Sequence, residues 1–168
     1  MMSENKPIRV GLIGYGFAGK TFHAPLIAAV PDLALTAVSS SRPEAVLADF
    51  PAIRVFSTPE ELAMSDEIDL VVIASPNDSH APLARLALKA GKAVVVDKPF
   101  TLTLADARDL VALAKAEDRL LSVFHNRRYD TDFRGVKGAI DSGAIGRVVH
   151  FETHFDRFRP VVRDRWRE

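Results

Sequence analysis

A glycine-rich turn directly after a short apolar run constrains the fold of this chain more than any other feature. The run over residues 8–13 is rich in Ile and Val and is typical of a buried strand. It leads into Gly14, Gly16 and Gly19, which match G-x-G-x-x-G. In this motif the turn joins a strand to a helix whose N-terminus faces the pyrophosphate of a dinucleotide.

Each glycine of the motif has a separate expected role. Gly14 permits the tight turn, Gly16 lets the backbone approach the phosphates, and Gly19 lets the helix pack closely on the strand. The free N–H groups and the positive end of the helix dipole then hold the anion. The residues of this turn expected to contact the cofactor are Gly14, Tyr15, Gly16, Phe17, Ala18 and Gly19.

The rest of the chain alternates short apolar runs with segments of helical periodicity. Thr58 and Glu61 form a capping box at one predicted helix start, and Thr103 is expected to cap another. Further strands are predicted at residues 33–38, 55–56, 69–74, 93–96 and 120–124. Such alternation is typical of βαβ units and predicts an α/β fold with a doubly wound parallel sheet. Residues 1–124 are therefore expected to form a dinucleotide-binding Rossmann domain.

The pattern changes in the last forty or so residues. Residues 125–145 are expected to form a connecting segment and a helix, and residues 147–156 alternate apolar and polar side chains. This alternation is typical of a strand with one solvated face, so residues 146–168 are expected to begin a truncated α+β second domain. An unpaired strand edge there would pair with a second copy, which predicts a homo-oligomer.

Composition restricts the classes of partner. Among the 168 residues, Lys plus Arg and Asp plus Glu both number 22, which gives no indication of nucleic-acid or membrane-surface binding. Cysteine is absent and the N-terminus is polar, so a soluble, cytoplasmic protein is expected. His150, Glu152, His154 and Asp156 lie on one face of the predicted strand, but successive side chains roughly 7 Å apart cannot all hold one ion. We therefore expect no metal site.

The segment after the second strand predicts the cofactor preference. An acidic residue there would bind the ribose 2′-hydroxyl of NAD, but the positions are held by Ser39, Ser40, Ser41 and Arg42. Hydroxyl donors and an arginine suit a 2′-phosphate, so NADP is preferred and NAD remains possible. The alternative is that these serines only cap the next helix.

Two further strand ends supply candidate residues. Ser75, Pro76, Asn77 and His80 follow a buried strand, where ligands bind in open α/β sheets, whereas Asp78 or Ser79 is expected to serve only as a helix cap. Asp97 and Lys98 follow the valine run 94–96. Burial and a nearby nicotinamide would both lower the pKa of Lys98 and prepare it to exchange a proton with a substrate hydroxyl.

Taken together, these motifs resemble the Gfo/Idh/MocA oxidoreductases. The resemblance is carried by the glycine turn, by Asp97-Lys98-Pro99 and by residues 124–128, Phe-His-Asn-Arg-Arg. Residues 23–27 and 155–160 resemble a bacterial branch of the family. The resemblance implies hydride transfer between a nicotinamide cofactor and a hydroxyl-bearing carbon of a sugar, cyclitol or related compound.

The family pattern also implies roles for particular residues. Lys98 corresponds to the family's catalytic lysine, Asn126 and Arg127 to its cofactor-side pair, and Trp166 and Arg167 to a segment near the nicotinamide. Asp97 stands where the family usually has Glu, and the family's later aspartate-histidine motif does not occur here. This chain alone is therefore expected to bind the cofactor with little or no turnover. A non-catalytic NAD(P)-binding regulator or sensor is the alternative, against which Lys98 argues.

Overall fold

A six-stranded parallel sheet in the order β3-β2-β1-β4-β5-β6 organises the fold. The computed structural model describes residues 6–158, 160 and 161. The strands are β1 (Ile8–Ile13), β2 (Leu33–Ser39), β3 (Arg54–Phe56), β4 (Leu70–Ile73), β5 (Ala93–Val96) and β6 (Leu121–Val123). This strand order is that of the doubly wound dinucleotide-binding fold, so the predicted fold class, a doubly wound parallel sheet of the Rossmann type, is confirmed.

Helices connect successive strands. The helices are α1 (Ala24–Ala29), α2 (Pro43–Asp49), α3 (Pro59–Met64), α4 (His80–Lys89), α5 (Leu104–Ala116) and α6 (Thr131–Asp141). A π-helical turn over Gly19–His23 runs directly into α1, and 3-10 turns occupy Asn77–Ser79 and Asn126–Tyr129. Within the described ranges, no helix is long and apolar enough to cross a bilayer.

Local sequence signals determine where two helices begin. The Thr58 hydroxyl accepts the backbone N–H of Glu61 at 3.2 Å, and the Glu61 carboxylate accepts the N–H of Thr58 at 3.3 Å. This reciprocal pair is the predicted capping box of α3. At α5 the Thr103 hydroxyl accepts the N–H of Asp106 at 3.1 Å. Both predicted caps are confirmed.

Both faces of the sheet are covered, which explains why its central strands are apolar at successive positions. On β4, Val72 belongs to one buried cluster, whereas Val71 and Ile73 belong to the other. The first cluster includes Ile27 of α1 and Val46 of α2, and the second draws on α3, α4 and α5. Side chains of a strand alternate between faces, so a strand buried on both sides must be apolar throughout.

The register of the sheet brings the carboxyl ends of four strands, and the loops that follow them, to one edge. Ile13 at the end of β1 pairs with Ser39 of β2 and Ile73 of β4, and Ile73 pairs with Val96 of β5. The carboxyl ends of these four strands therefore lie level. Strand order reverses between β1 and β4, which makes this edge a topological switch point, where ligands bind in folds of this class.

The chain divides into a unit that ends at His125 and a second unit that begins at Asn126. The second unit contains α6, whose position agrees with the predicted helix. The predicted strand over residues 147–156 is wrong, because residues 147–158 form neither strand nor helix. A strand needs a neighbour to pair its backbone groups, and the described part of the chain supplies none for this segment. The expected pairing with a second copy stays a prediction.

Candidate active site

The glycine turn after β1 has the close approaches that its sequence predicts. Gly14 has a φ of 94°, and its N–H donates to the Ser39 carbonyl at 2.9 Å. A Cβ at Gly14 would lie 2.6 Å from the Ala74 carbonyl oxygen, and a Cβ at Gly19 would lie 2.1 Å from the Gly14 oxygen. Side chains are therefore excluded at both positions, by backbone conformation at Gly14 and by close packing at Gly19.

Gly16 differs from its two neighbours in the motif. A Cβ built there would meet nothing within 4 Å, so the protein itself does not require glycine at this position. Open space beside backbone amides fits the pyrophosphate of a dinucleotide, which must approach the main chain closely. Phe17, which follows, is 76% exposed and packs edge-on against Phe22 with ring centroids 5.6 Å apart. The open space and the backbone amides of the turn are therefore compatible with a bound dinucleotide.

Tyr15 belongs to the core rather than to the cofactor surface. Its side chain is 4% exposed, and its hydroxyl donates to the Asp49 carboxylate at 2.8 Å. Burial and this bond to Asp49 raise the pKa of Tyr15 to about 12. Lys20 Nζ lies 2.6 Å from the same carboxylate. The side chain of Tyr15 thus ties the glycine turn to the end of α2, and the expected contact of Tyr15 with the cofactor stays a prediction.

The segment 39–42 divides into a buried part and an exposed part. Ser39 is 5% exposed, and its expected contact with the cofactor stays a prediction. The Ser40 hydroxyl accepts the N–H of Arg42 at 3.0 Å, so this serine supports the turn as the capping alternative suggests. Ser41 and Arg42 are exposed immediately before α2. Arg42 therefore stands at the end of β2 with its guanidinium available to a ligand.

The loop after β4 is held by its own polar groups. The Ser79 hydroxyl donates to the Pro76 carbonyl at 2.6 Å and lies 2.6 Å from the Ser75 hydroxyl. Asn77 begins the 3-10 turn and is partly exposed. His80 is 1% exposed, and its ring nitrogens lie 2.8 Å from the Pro99 carbonyl oxygen and 3.0 Å from the Ser75 carbonyl oxygen. In this structure the ring is therefore occupied by protein contacts, and the expected contact of His80 with the cofactor stays a prediction.

Lys98 lies directly after β5 at the switch-point edge. Its N–H donates to the Asp97 carboxylate at 2.8 Å, and its side chain is exposed. The expected burial of Lys98 is therefore wrong, because the turn after β5 directs the residue out of the core. The same exposure leaves the amine accessible at this edge of the sheet.

A buried histidine that sequence reasoning missed lies beside Asp97. His23 is 4% exposed, and its Nε2 lies 3.8 Å from the Asp97 carboxylate. Burial raises the pKa of Asp97, but His23 and the Lys98 N–H together outweigh it, so the pKa lies below its usual value. The spacing in the sequence could have indicated the burial of His23, because Gly19, His23 and Ile27 lie four residues apart on one helical face and are all buried.

The remaining predicted contacts fall outside the first unit. Asn126 and Arg127 form part of the 3-10 turn that opens the second unit, where Arg127 pairs with Asp130 at 2.7 Å. The hydrogen bond to Asp130 raises the pKa of Arg127. Trp166 and Arg167 lie outside the residues that the structure describes. Across the described parts of both units, no group of three or more His, Cys, Asp or Glu residues could hold a metal ion.

Comparison with known proteins places this site in a family. The model of the Gfo/Idh/MocA proteins, an oxidoreductase family with an NAD-binding Rossmann fold, matches residues 8–125. The chain belongs to this family. The matched residues include the glycine turn, the segment 39–42 and Lys98, so the strand ends described above are those of an NAD(P)-binding Rossmann domain.

Several relatives are similar over nearly the whole chain. The uncharacterized oxidoreductase YdgJ of Escherichia coli is 61% identical over 99% of this chain and 48% of its own length. The NADP(+)-dependent scyllo-inositol 2-dehydrogenase IolW of Bacillus subtilis is 37% identical over 96% of this chain and 45% of its own.

A solved structure shows the same architecture. That of a proposed oxidoreductase from Klebsiella pneumoniae aligns with a TM-score of 0.90 at 60% identity, covering 93% of this chain and 45% of the other. The chain therefore spans about half the length of the relatives it matches.

Proposed function

We propose that this chain is the cofactor-binding half of an NADP-dependent dehydrogenase that acts on a hydroxyl-bearing carbon of a sugar, cyclitol or related compound. The observation that carries the proposal is the switch-point edge, where the open space at Gly16, the exposed Arg42 and the exposed Lys98 follow strands that end level with one another. The NADP-linked inositol dehydrogenase among the relatives supports both the cofactor and the substrate class.

Three parts of this edge have separate tasks in the proposal. The amides around Gly16 hold the pyrophosphate, and the guanidinium of Arg42 pairs with the 2′-phosphate of NADP. A bound nicotinamide supplies the acceptor for the hydride that leaves the substrate carbon. Lys98, in its neutral amine form, accepts the proton of the substrate hydroxyl as the carbonyl forms, and it returns that proton in the reverse reaction.

Titration calorimetry with NADPH and NADH tests the cofactor assignment. A hydrogen bond to a charged group contributes about 1.5–3 kcal/mol, so Arg42→Ala is expected to weaken NADPH binding by about ten- to a hundredfold. NADH affinity should change by less than about threefold, because NADH has no 2′-phosphate. Arg108→Ala, which removes an exposed arginine from α5, is the matched control and should alter neither affinity.

Two results would contradict the cofactor assignment. Equal losses of NADPH and NADH affinity in Arg42→Ala would show that the guanidinium does not read the 2′-phosphate. Failure of the unsubstituted chain to bind either nucleotide would show that these 168 residues do not hold the cofactor.

The proton-transfer role of Lys98 is tested by Lys98→Met. Reduction of NADP+ is followed with inositols and sugars as candidate substrates, in a protein that spans the full length of the relatives. General acid–base catalysis contributes about 10²–10⁴-fold, so kcat is expected to fall by that factor. The affinity for NADPH should change little, because the amine acts on the substrate. Full dehydrogenase activity in Lys98→Met would contradict the assignment.

A further inference from the structure

His80 lies between the two loops that flank the candidate catalytic lysine. It is the first residue of α4, and its ring is 1% exposed. One ring nitrogen lies 2.8 Å from the carbonyl oxygen of Pro99, in the turn that contains Lys98. The other lies 3.0 Å from the carbonyl oxygen of Ser75, in the loop after β4. A single side chain therefore connects the two loops.

The chemistry of these two contacts is restrictive, because both partners are carbonyl oxygens. A carbonyl oxygen can only accept a hydrogen bond, whereas a neutral imidazole has one N–H donor and one acceptor nitrogen. With a neutral ring, one of the two contacts would set a nitrogen lone pair against an oxygen lone pair at hydrogen-bonding distance. With both nitrogens protonated, the ring donates to both carbonyls, and each bond is charge-assisted.

We propose that His80 is a positioning residue that donates from both ring nitrogens and thereby holds the Lys98 turn against the loop after β4. His80 acts through Pro99 and Ser75, and it does not touch the reacting atoms. The positioning role for catalysis rests on the proposed function, whereas the double donation depends only on the contacts in the fold.

Burial opposes a positive charge on the ring, so the two charge-assisted hydrogen bonds must outweigh that cost. The charged residues on the segments joined by His80 are Asp97 and Lys98 on the turn after β5 and Asp78 in the 3-10 turn. Asp97 bonds the Lys98 N–H and lies beside His23, so this carboxylate is already engaged. The two carbonyl oxygens are therefore the hydrogen-bond partners that the structure gives to the His80 ring.

Nitrogen-15 NMR of the histidine rings in the full chain tests the double donation directly. If the ring donates to both carbonyls, both ring nitrogens of His80 are expected at the chemical shift of protonated nitrogen, with slow exchange of both protons with solvent. The exposed rings of His150 and His154 provide references in the same spectrum. His80→Gln assigns the signals. A His80 ring with one nitrogen at the shift of unprotonated nitrogen overturns the proposal.

Substitution tests the positioning role. His80→Leu removes both donors, whereas His80→Asn and His80→Gln each keep an amide that can reach one carbonyl. NADPH affinity is expected to fall about tenfold in His80→Leu and about threefold in the two amide variants, a graded rescue that ring volume alone does not explain. Thermal unfolding of each variant identifies any that does not fold, and the amide variants then carry the comparison.

The backbone signals of the turn give the second readout. The amide resonances of Asp97 and Lys98 should shift in every His80 variant, and by the largest amount in His80→Leu. Folded variants in which these resonances and the NADPH affinity match the unsubstituted chain would overturn the positioning role. A chain that binds no nucleotide at all would contradict the proposed function, and the NMR result would still decide whether His80 donates twice.

Discussion

Two alanine substitutions in the same motif should separate cofactor binding from folding. Gly16 and Gly19 lie three residues apart, yet a Cβ at Gly16 meets no atom within 4 Å, whereas a Cβ at Gly19 falls 2.1 Å from the Gly14 carbonyl oxygen. The first substitution should therefore affect the ligand and the second should affect the protein. The free energy of unfolding and the affinity for NADPH measure the two effects independently.

The expected magnitudes follow from these contacts. In Gly16→Ala the free energy of unfolding should change by less than about 1 kcal/mol, since alanine fits without contact and restricts the unfolded chain. The methyl group would occupy space that the pyrophosphate needs, and losing a charge-assisted hydrogen bond of about 1.5–3 kcal/mol weakens NADPH binding by about ten- to a hundredfold.

Gly19→Ala should instead lower the free energy of unfolding. Ordinary contacts between carbon and oxygen begin at about 3.3 Å. The Cβ of an alanine at position 19 would lie only 2.1 Å from the Gly14 carbonyl oxygen, so the helix must move away from the turn by about 1 Å. Overpacking of this kind against backbone costs about 3 kcal/mol, which corresponds to a Tm lower by about 10 °C in a domain of this size.

Urea and thermal unfolding followed by circular dichroism, together with calorimetry of NADPH, provide the assay. The reasoning would be refuted if Gly16→Ala bound NADPH as tightly as the unsubstituted chain, or if Gly19→Ala were equally stable. A large loss of stability in Gly16→Ala would show that the space beside this residue is not open in solution.

Three further predictions concern stability. Folding raises the pKa of Tyr15 to about 12, above its unfolded value. Its contribution to the free energy of unfolding is therefore complete below about pH 10 and is lost as the pH rises towards 12. In Tyr15→Phe, urea unfolding should show a smaller loss of stability with rising pH in this alkaline range. The hydrogen bond from Arg9 lowers the pKa of Asp69 to about 2. The contribution of Asp69 to the free energy of unfolding is therefore present above about pH 4 and is lost as the pH falls towards 2. Since both side chains are 45% exposed, Asp69→Asn should cost no more than about 1 kcal/mol at pH 7 and remove the acid slope. Thr58→Ala should cost about 1 kcal/mol by thermal unfolding, because α3 loses its cap.

The sequence was sufficient to predict the fold because its local signals agree with one another. The apolar strands, the capping threonines and the glycine turn each indicate the same alternation of strand and helix, and the observed elements follow it closely. The error over residues 147–156 arose because alternation reports which faces a strand would present. It does not report whether a partner strand is available.

The site was predicted less completely, because sequence position does not determine side-chain direction at the end of a strand. The glycine turn and Lys98 were placed correctly at the switch-point edge. Tyr15, Ser39 and His80 were expected to contact the cofactor, but each is buried. Their roles depend on partners distant in sequence, such as Asp49 for Tyr15 and the Pro99 carbonyl for His80, and a pattern of residue types does not specify such pairs.

The bond from the Gly14 N–H to the Ser39 carbonyl has a consequence for protein engineering. It joins the glycine turn to the segment that contains Arg42, and it uses main-chain atoms alone. Side chains at positions 41 and 42 can therefore be exchanged without removing a link on which the turn depends. If the proposed function holds, an acidic residue at position 41 together with loss of the arginine should give a variant that prefers NADH, with the conformation of the glycine turn unchanged.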